Sequence, residues 1–470
     1  MASYSEQLAK WMGMLRFQDL PEDIVESTKL RILDTIGLAL ASNALDYGRA
    51  VRESALEMGP VVHNGARILG FGDSTSPMLA AFVNGALAEG FQYDDTHNET
   101  MINVSAPIVA AGLAVGEMLQ ASGVDVLTAI AGGIEVTCRL GCAAPGAFHR
   151  GGFHPTGVVG ALGACYVACR LLGLDYERTR HAIGIAGSMG AGVNEAWSDG
   201  SWSQLMHPGW AAHGGIAAAI MGKNGFTGPA NVLDGRHGVF RAHIQDPNYP
   251  FDFDRMVTKL SRDWESRYIS FKPYPCAHVL HAFIDALLYL HQHEGLKPDK
   301  VKQITCPVAE YMVGEVCEPM TEKLEPATYI QARNSLPYVL AEALHFGKVD
   351  FRSFNTKNIK NADILHLAHK ITYVVDPDAP GSWQYKGWVV VETTDGKSLE
   401  RIEGYNRGSA DNPMSVTDLA AKFQDNCALC LPNKVDAIID AVIALDQLAN
   451  IKELVDHAVR RNVVAKIMKR

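Results

Sequence analysis

The sequence predicts a mainly α protein: a long helical first part, a shorter α+β segment, and a return to helix near the end. Three observations carry that reading. Through about residue 250, apolar residues recur at helical spacing in segments rich in Ala and Gly. Beyond Asp252, β-branched runs such as KITYVVDP and WVVVETT stand between helical segments. At 470 residues, 47% of them hydrophobic, the chain exceeds what one core usually supports, so two domains are expected.

Residues 3–59 follow a helical pattern, and Pro21 sits where a helix tolerates it, at the first turn of a segment whose Ile24, Leu30, Ile32, Leu33, Ile36 and Leu40 form a broad apolar face. Residues 65–77 (GARILGFGDSTSP) surround a short apolar run with turn formers. Apolar helices follow over 106–121, 124–140, 156–172 and 209–221, their small residues permitting close approach. The longest, TGVVGALGACYVACRLLGL, nears membrane-span length. It contains Arg170 and lacks flanking anchors, so it reads as a core helix. After Asp252, SFKPYPCAHVLHAFIDALLYL sets Lys272, Tyr274 and His278 in a Pro-punctuated turn before another helix. VKQITCPVAEYM, KITYVVDP, WVVVETT and SLERIEG read as strands, the last two joined through Asp395-Gly396 as a hairpin, with SLPYVLAEALHFG helical among them. Residues 415–448 return to helix, with Ser415 or Thr417 as cap. Periodicity does not say which part of the protein that last segment packs on.

Composition excludes several function classes. The net charge of −10, with no basic run except the tail VRRNVVAKIMKR, argues against nucleic acid or an anionic membrane as partner. No basic start leads into an apolar stretch in residues 1–20, so a cytoplasmic location is the expectation. The nine cysteines are odd in number. Cys138/Cys142 and Cys165/Cys169 lie in apolar helical segments and read as packing residues, and the lone Cys427/Cys430 pair lacks the partners of a metal site, so no metal is expected. The common loops and elbows of NTPases, dinucleotide enzymes, serine hydrolases and zincins are missing.

What remains is a set of polar islands between apolar helices. The densest, FQYDDTHNETMINVSAP (91–107), carries Gln92, Asp94, Asp95, Thr96, His97, Asn98, Glu99 and Asn103. Helix capping accounts for one or two of these residues, whereas enclosed carboxylates, imidazoles and amides are costly to keep unless paired or used in chemistry. AFHRGGFHPTG adds His149, Arg150 and His154; AWSDGSWSQLMHPGWAAHGG adds Trp197, Gln204, His207 and His213. Both loops immediately precede helices, where backbone N–H groups favour an anion, although a lone histidine at a helix start is more often a packing group. Together with Lys272 and nearby tyrosines, this is equipment for proton transfer beside a carboxylate.

In LRILDTIGLALAS, YDDTHNETMINVSAPIVAAGLAVGE, GGFHPTGVVGALGA, HPGWAAHGGIAAAIMGKNGFTGP, FKPYPCAHVLHAFIDA, NSLPYVLAEAL and NPMSVTDLAAKF the chain resembles the MmgE/PrpD family over nearly its whole length. The resemblance implies a large all-helical domain built from both chain ends (1–268 and 405–470), an inserted smaller α+β lid domain (269–404), and a site between them. It also implies a homodimer, no cofactor, and a lyase acting on a small di- or tricarboxylic acid by dehydration or decarboxylation. Helices from Ala106 onward, apolar on more faces than one small core buries, also point to a homodimer. By similarity Asp95, Thr96, His154 and Lys272 keep the family pattern, with His278 and Tyr311 as further matches. The chain departs from it where the family carries an acid (here Gln92), a histidine (Asn103) and a Lys-Arg pair (Gln204-Leu205). The catalytic candidates are therefore His154 for proton transfer, Lys272 for the carboxylate, and Thr96 and Asn103 for the developing charge. Substrate-binding candidates are Gln92, Asp95, His97, Gln204, His207, Tyr274, His278 and Tyr311. With three ionisable positions neutral, a second acid to expel hydroxide is not evident. An isomerase or epimerase, or a non-catalytic relative binding through the same cleft, are the alternatives.

Overall fold

The computed structural model describes residues 2–460, so most of the tail VRRNVVAKIMKR and the end of the 405–470 segment lie outside the described residues. Ser3 and Glu6 form a reciprocal capping box that opens α1 (Tyr4–Met14), and Pro21 stands one residue outside α2 (Glu22–Ser42), as its cap. α3 (Asp46–Met58) leads into a two-stranded hairpin, β1 (Ala66–Arg67) with β2 (Ser74–Thr75), and then α4 (Pro77–Glu89), capped by Ser76. The polar island supplies β3 (Thr96–His97) before α5 (Ser105–Leu119). α6 (Gly123–Cys142), α7 (Pro155–Leu171), α8 (Tyr176–Ala186) and α9 (His207–Lys223) complete the first part.

Small residues set how these helices meet. Where α4 crosses α9, a Cβ on Gly209 would lie 1.9 Å from the Phe82 carbonyl and one on Gly85 2.8 Å from the Gly209 Cα, so the backbones touch and no larger residue fits either place. The same packing buries α5, α6 and α7 almost completely within one chain. Their all-round apolar character, read in sequence as pointing to a second subunit, is satisfied without one. No helix among the described residues is long and apolar enough to cross a membrane.

One hydrophobic core runs from Leu8 through Ile269 and resumes at Phe423, Ile438 and Leu454, drawn from α13 (Val416–Ala428), α14 (Val435–Ile443) and α15 (Lys452–His457). The closing helices thus pack on the opening ones. A second core spans Tyr274 to Val391. It contains a four-stranded sheet in the order β6–β5–β7–β8, formed by β5 (Val301–Val308), β6 (Ile371–Val375), β7 (Gly387–Thr393) and β8 (Ser398–Glu403). β6 runs parallel to β5, whereas β7 and β8 form the hairpin, with Gly396 at φ +84° in its turn. α10 (His281–His293), α11 (Leu336–Phe346) and α12 (Ala362–Ala368) cover it. Between the cores, β4 (Ile269–Ser270) pairs antiparallel with β3, Thr96 opposite Ser270, which sets Lys272 against the polar island.

The α13 attachment rests on a buried ion pair: Lys422 Nζ lies 2.8 Å from Asp34 Oδ1 on α2 and donates to the Tyr93 carbonyl at 2.9 Å. Removing one partner strands the other charge. Lys422→Met should lower unfolding stability in urea by about 3–5 kcal/mol, and Asp34→Asn added to it should recover most of the loss. A Lys422→Met protein as stable as the parent would mean that apolar packing alone holds α13.

Candidate active site

The chamber at the junction of the two cores has a volume of about 60 Å³ and is lined mainly by polar side chains, together with Met101, Trp197, Ala277 and Val279. Its first wall is the turn leaving α4. Glu89, the last residue of that helix, faces Asp94, and both carboxyls are buried. Burial first, then the Asp94 charge, pushes the Glu89 carboxyl well above the usual range, so the coupled pair favours keeping one proton between them. Asp94 is also raised by burial, while Lys272 and its bonds to Glu89 and Asn103 act the other way. Asn103 Nδ2 donates to Asp94 Oδ1 at 2.9 Å, and Lys272 Nζ stands 3.8 Å from the same oxygen. Gln92 takes a left-handed conformation, φ +51°, unusual without glycine, and its carbonyl accepts from Lys272 at 3.2 Å.

The second wall is made of histidines at helix starts. His154 caps α7, and its Nδ1 lies 3.1 Å from Nδ1 of His207, the first residue of α9. Two facing ring nitrogens share one hydrogen. Burial, reinforced by the neighbouring His207, His149 and Lys272, holds His154 well below its usual range, so it is neutral; burial pushes His207 down to about 4. When His154 donates through Nδ1, its Nε2 carries a free lone pair. His149 stacks on Trp197 with rings 5.7 Å apart at 15°, and Trp197 Nε1 donates to Gln204 Oε1 at 3.0 Å.

The third wall comes from the second core. Ser270 Oγ donates to Asn98 Oδ1 (2.8 Å), Asn98 Nδ2 to Asn406 Oδ1 (3.1 Å), and Asn406 Nδ2 to His278 Nε2 (2.9 Å). That chain fixes the imidazole: Nε2 accepts, so the neutral ring carries its proton on Nδ1. His278 is held neutral by burial, and among the described residues its Nδ1 has no hydrogen-bond partner. Thr96 Oγ1, likewise buried, has none either. Two hydrogen-bond donors are therefore uncommitted at the chamber.

The structure brings together Gln92, Thr96, Asn103, His154, Gln204, Lys272 and His278. It places His207 one layer behind His154. Asp95 faces away, its carboxylate taken by Arg31 (2.7 Å) and by the backbone and hydroxyl of Ser105 at the start of α5. His97 meets Thr100 at 3.0 Å and Glu265 at 3.6 Å, and Tyr274 donates to Asp285 at 2.6 Å; neither lines the chamber. Tyr311 lines a neighbouring cavity. His97, Cys142 and Glu265 could offer a cation three atoms within 4.8 Å of one another, but Arg255 lies 3.9 Å from Glu265 and opposes one. Sequence reasoning missed Glu89, Glu315, Asn334 and Tyr385 as lining residues, and took His149 and Trp197 no further than their loop. The available signal for Glu89 was a single carboxyl ending an otherwise apolar helix, two residues ahead of the island.

Residues 6–252 match the MmgE/PrpD N-terminal domain and residues 274–447 the MmgE/PrpD C-terminal domain. The chain is 24% identical to the cis-aconitate decarboxylase-like protein oryM of Aspergillus oryzae, over 95% of each chain. It is 27% identical to the cis-aconitate decarboxylase of Mus musculus, covering 95% of this chain and 91% of that one. To the 2-methylcitrate dehydratase of Cupriavidus necator it is 24% identical over 88% of each.

His207 gives this wall a pH signature. Its value falls from 6.5 to about 4 on folding, so between those two values the unfolded chain takes up a proton that the folded one does not. Stability is thus fully present above 6.5 and falls as pH drops toward 4, on the order of 1 kcal/mol per pH unit from this residue. His207→Gln should lessen the pH dependence of the urea midpoint across that window, the remaining slope coming from His149, His154, His278 and His281, which burial also holds low. An unchanged slope would place the proton uptake on other groups.

Proposed function

Because this chain belongs to the MmgE/PrpD family, we propose that it is a cofactor-independent lyase acting on a small di- or tricarboxylic acid, by dehydration or decarboxylation beside a carboxylate. The observation that carries the reading is that Lys272, His154 and Glu89 line one buried chamber, where burial favours the neutral imidazole and the protonated carboxyl. Lys272 anchors one substrate carboxylate. His154 Nε2 takes the proton from the adjacent carbon, and the C–H electron pair moves into an enediolate. Thr96 Oγ1 and His278 Nδ1 donate to that charge, as uncommitted donors in a water-poor site are suited to do. In dehydration the pair closes a double bond as the C–O bond breaks, and Glu89 gives its proton to the departing hydroxide. In decarboxylation Glu89 instead protonates the enediolate at its far carbon; the C–C bond to the departing carboxylate then breaks, its electron pair stays on carbon, and the proton held by His154 fills it as carbon dioxide leaves.

Glu89 thus supplies the second acid that the neutral Gln92, Asn103 and Gln204 do not. Asn103 spends one amide N–H on Asp94, so its first task is to orient the carboxyl pair. In this reading residues 269–404 form the lid over a helical domain of 1–268 and 405–470, and the protein works as a cytoplasmic homodimer. Sedimentation showing only a monomer would remove the last element.

With cis-aconitate or 2-methylcitrate as substrate, His154→Ala should lower kcat by about 10²-fold or more, and Lys272→Ala should act chiefly through a raised KM. Glu89→Gln keeps the shape of the carboxyl without a transferable proton and should cost kcat about 10²-fold with KM little changed. Steady-state kinetics, with unfolding curves confirming that each variant folds, decide it. A His154→Ala enzyme within about threefold of the parent would show that the proton is moved elsewhere.

A further inference from the structure

We infer that the substrate carries an apolar chain of several carbons, which lies outside the reacting chamber in a second cavity; this rests on the lyase reading and adds the substrate class to it. The chamber alone is small, about 60 Å³, and more polar than apolar. It is not closed. Met101, His149, Trp197 and Glu315 line it and also line an adjoining cavity of about 590 Å³, roughly tenfold larger.

The walls of that vestibule are of another kind. Pro145, Tyr311, Gly314 and Trp383 face it together with Met101 and Trp197. Trp383 is 64% exposed, an unusual position for the largest apolar side chain, and it stands beside an opening with aromatic surface on two further sides. Its loop is held in place, since Ser382 Oγ donates to the Glu99 carbonyl at 3.0 Å. The charges present do not suit extra carboxylates. Glu99 is already committed to Arg255 at 2.6 and 2.8 Å, burial pushes Glu315 toward its neutral form, and among the described residues Arg150 is the one cation lining the cavity. A small polyacid has no use for this surface. An acid with its carboxylates at the chamber and an alkyl or aryl chain behind them would cover the aromatic rings and gain the hydrophobic contribution of each buried methylene.

The test is a homologous series, 2-methyl-, 2-butyl- and 2-hexylcitrate with the matching alkyl cis-aconitates, read by turnover and by calorimetric binding. A buried methylene is worth roughly fourfold, so kcat/KM should rise at least about tenfold from methyl to butyl. Two variants locate the effect. At Gly314 a Cβ meets nothing within 4 Å, so Gly314→Phe can enter the vestibule without strain, and the chain-length preference should collapse toward one. Trp383→Ala, at an exposed site that folding does not depend on, should reduce the same preference. A kcat/KM that is flat or falls with chain length in the parent overturns the inference and leaves the lyase reading standing. Chain-dependent binding without turnover removes the lyase reading and keeps this one; binding by no member of the series overturns both.

Discussion

Four buried cations from distant parts of the chain converge on residues 90–95, and the rest of the site depends on that convergence. Arg333 donates to the Gly90 carbonyl at 3.1 Å, Lys272 to that of Gln92, Lys422 to that of Tyr93, and Arg31 pairs with Asp95. Carbonyls turned inward need donors, and donors from regular secondary structure are absent at this turn. The turn is therefore held by α2, α13, the segment entering the second core and the turn before α11. Its shape is what aims Asp94 at Lys272, brings Glu89 to Asp94 and leaves Thr96 uncommitted. Three of the four cations are consumed in building the turn. Lys272, which is paired only loosely to Asp94 at 3.8 Å, keeps capacity for an incoming carboxylate.

Burial then sets the protonation states that chemistry needs. Burial in the chamber disfavours every charged form, so the histidines stay neutral and one proton remains on the carboxyl pair. An arriving anion changes that balance. A carboxylate beside His154 favours its imidazolium, raising its readiness to accept a proton at the step where one is released. The same anion competes with Asp94 for Lys272, which further stabilises the protonated carboxyl pair. Substrate charge, not a resident ion, switches the site from resting to reactive in this account.

Local patterns were legible where local physics decides. The helices expected over 106–121 and 124–140 occur as Ser105–Leu119 and Gly123–Cys142, and the strands and the Asp395-Gly396 hairpin fall where alternation and turn chemistry place them. The polar islands were recognisable because polar residues are conspicuous between helices that are apolar all round. Roles within an island were not. Asp94 and Asp95 are neighbours of identical chemistry, yet Asp95 is spent on Arg31 and the start of α5 while Asp94 joins the chamber, a division fixed by partners 64 and 178 residues away. Glu89 was passed over because its helix reads as core; its raised carboxyl comes first from tertiary burial and then from the Asp94 charge. The destination of the final helices was equally silent, since Phe423 and Lys422 meet Ile36-side residues and Asp34 nearly 400 positions earlier.

The central claim is committed proton transfer at the carbon beside the carboxylate held by Lys272. Turnover of cis-aconitate in heavy water, stopped at partial conversion and examined by nuclear magnetic resonance, tests it directly. The account predicts product carrying one carbon-bound deuterium while the recovered substrate stays unlabelled. Deuterium in recovered substrate without product would instead identify an isomerase or epimerase that returns the proton, and would contradict the lyase reading.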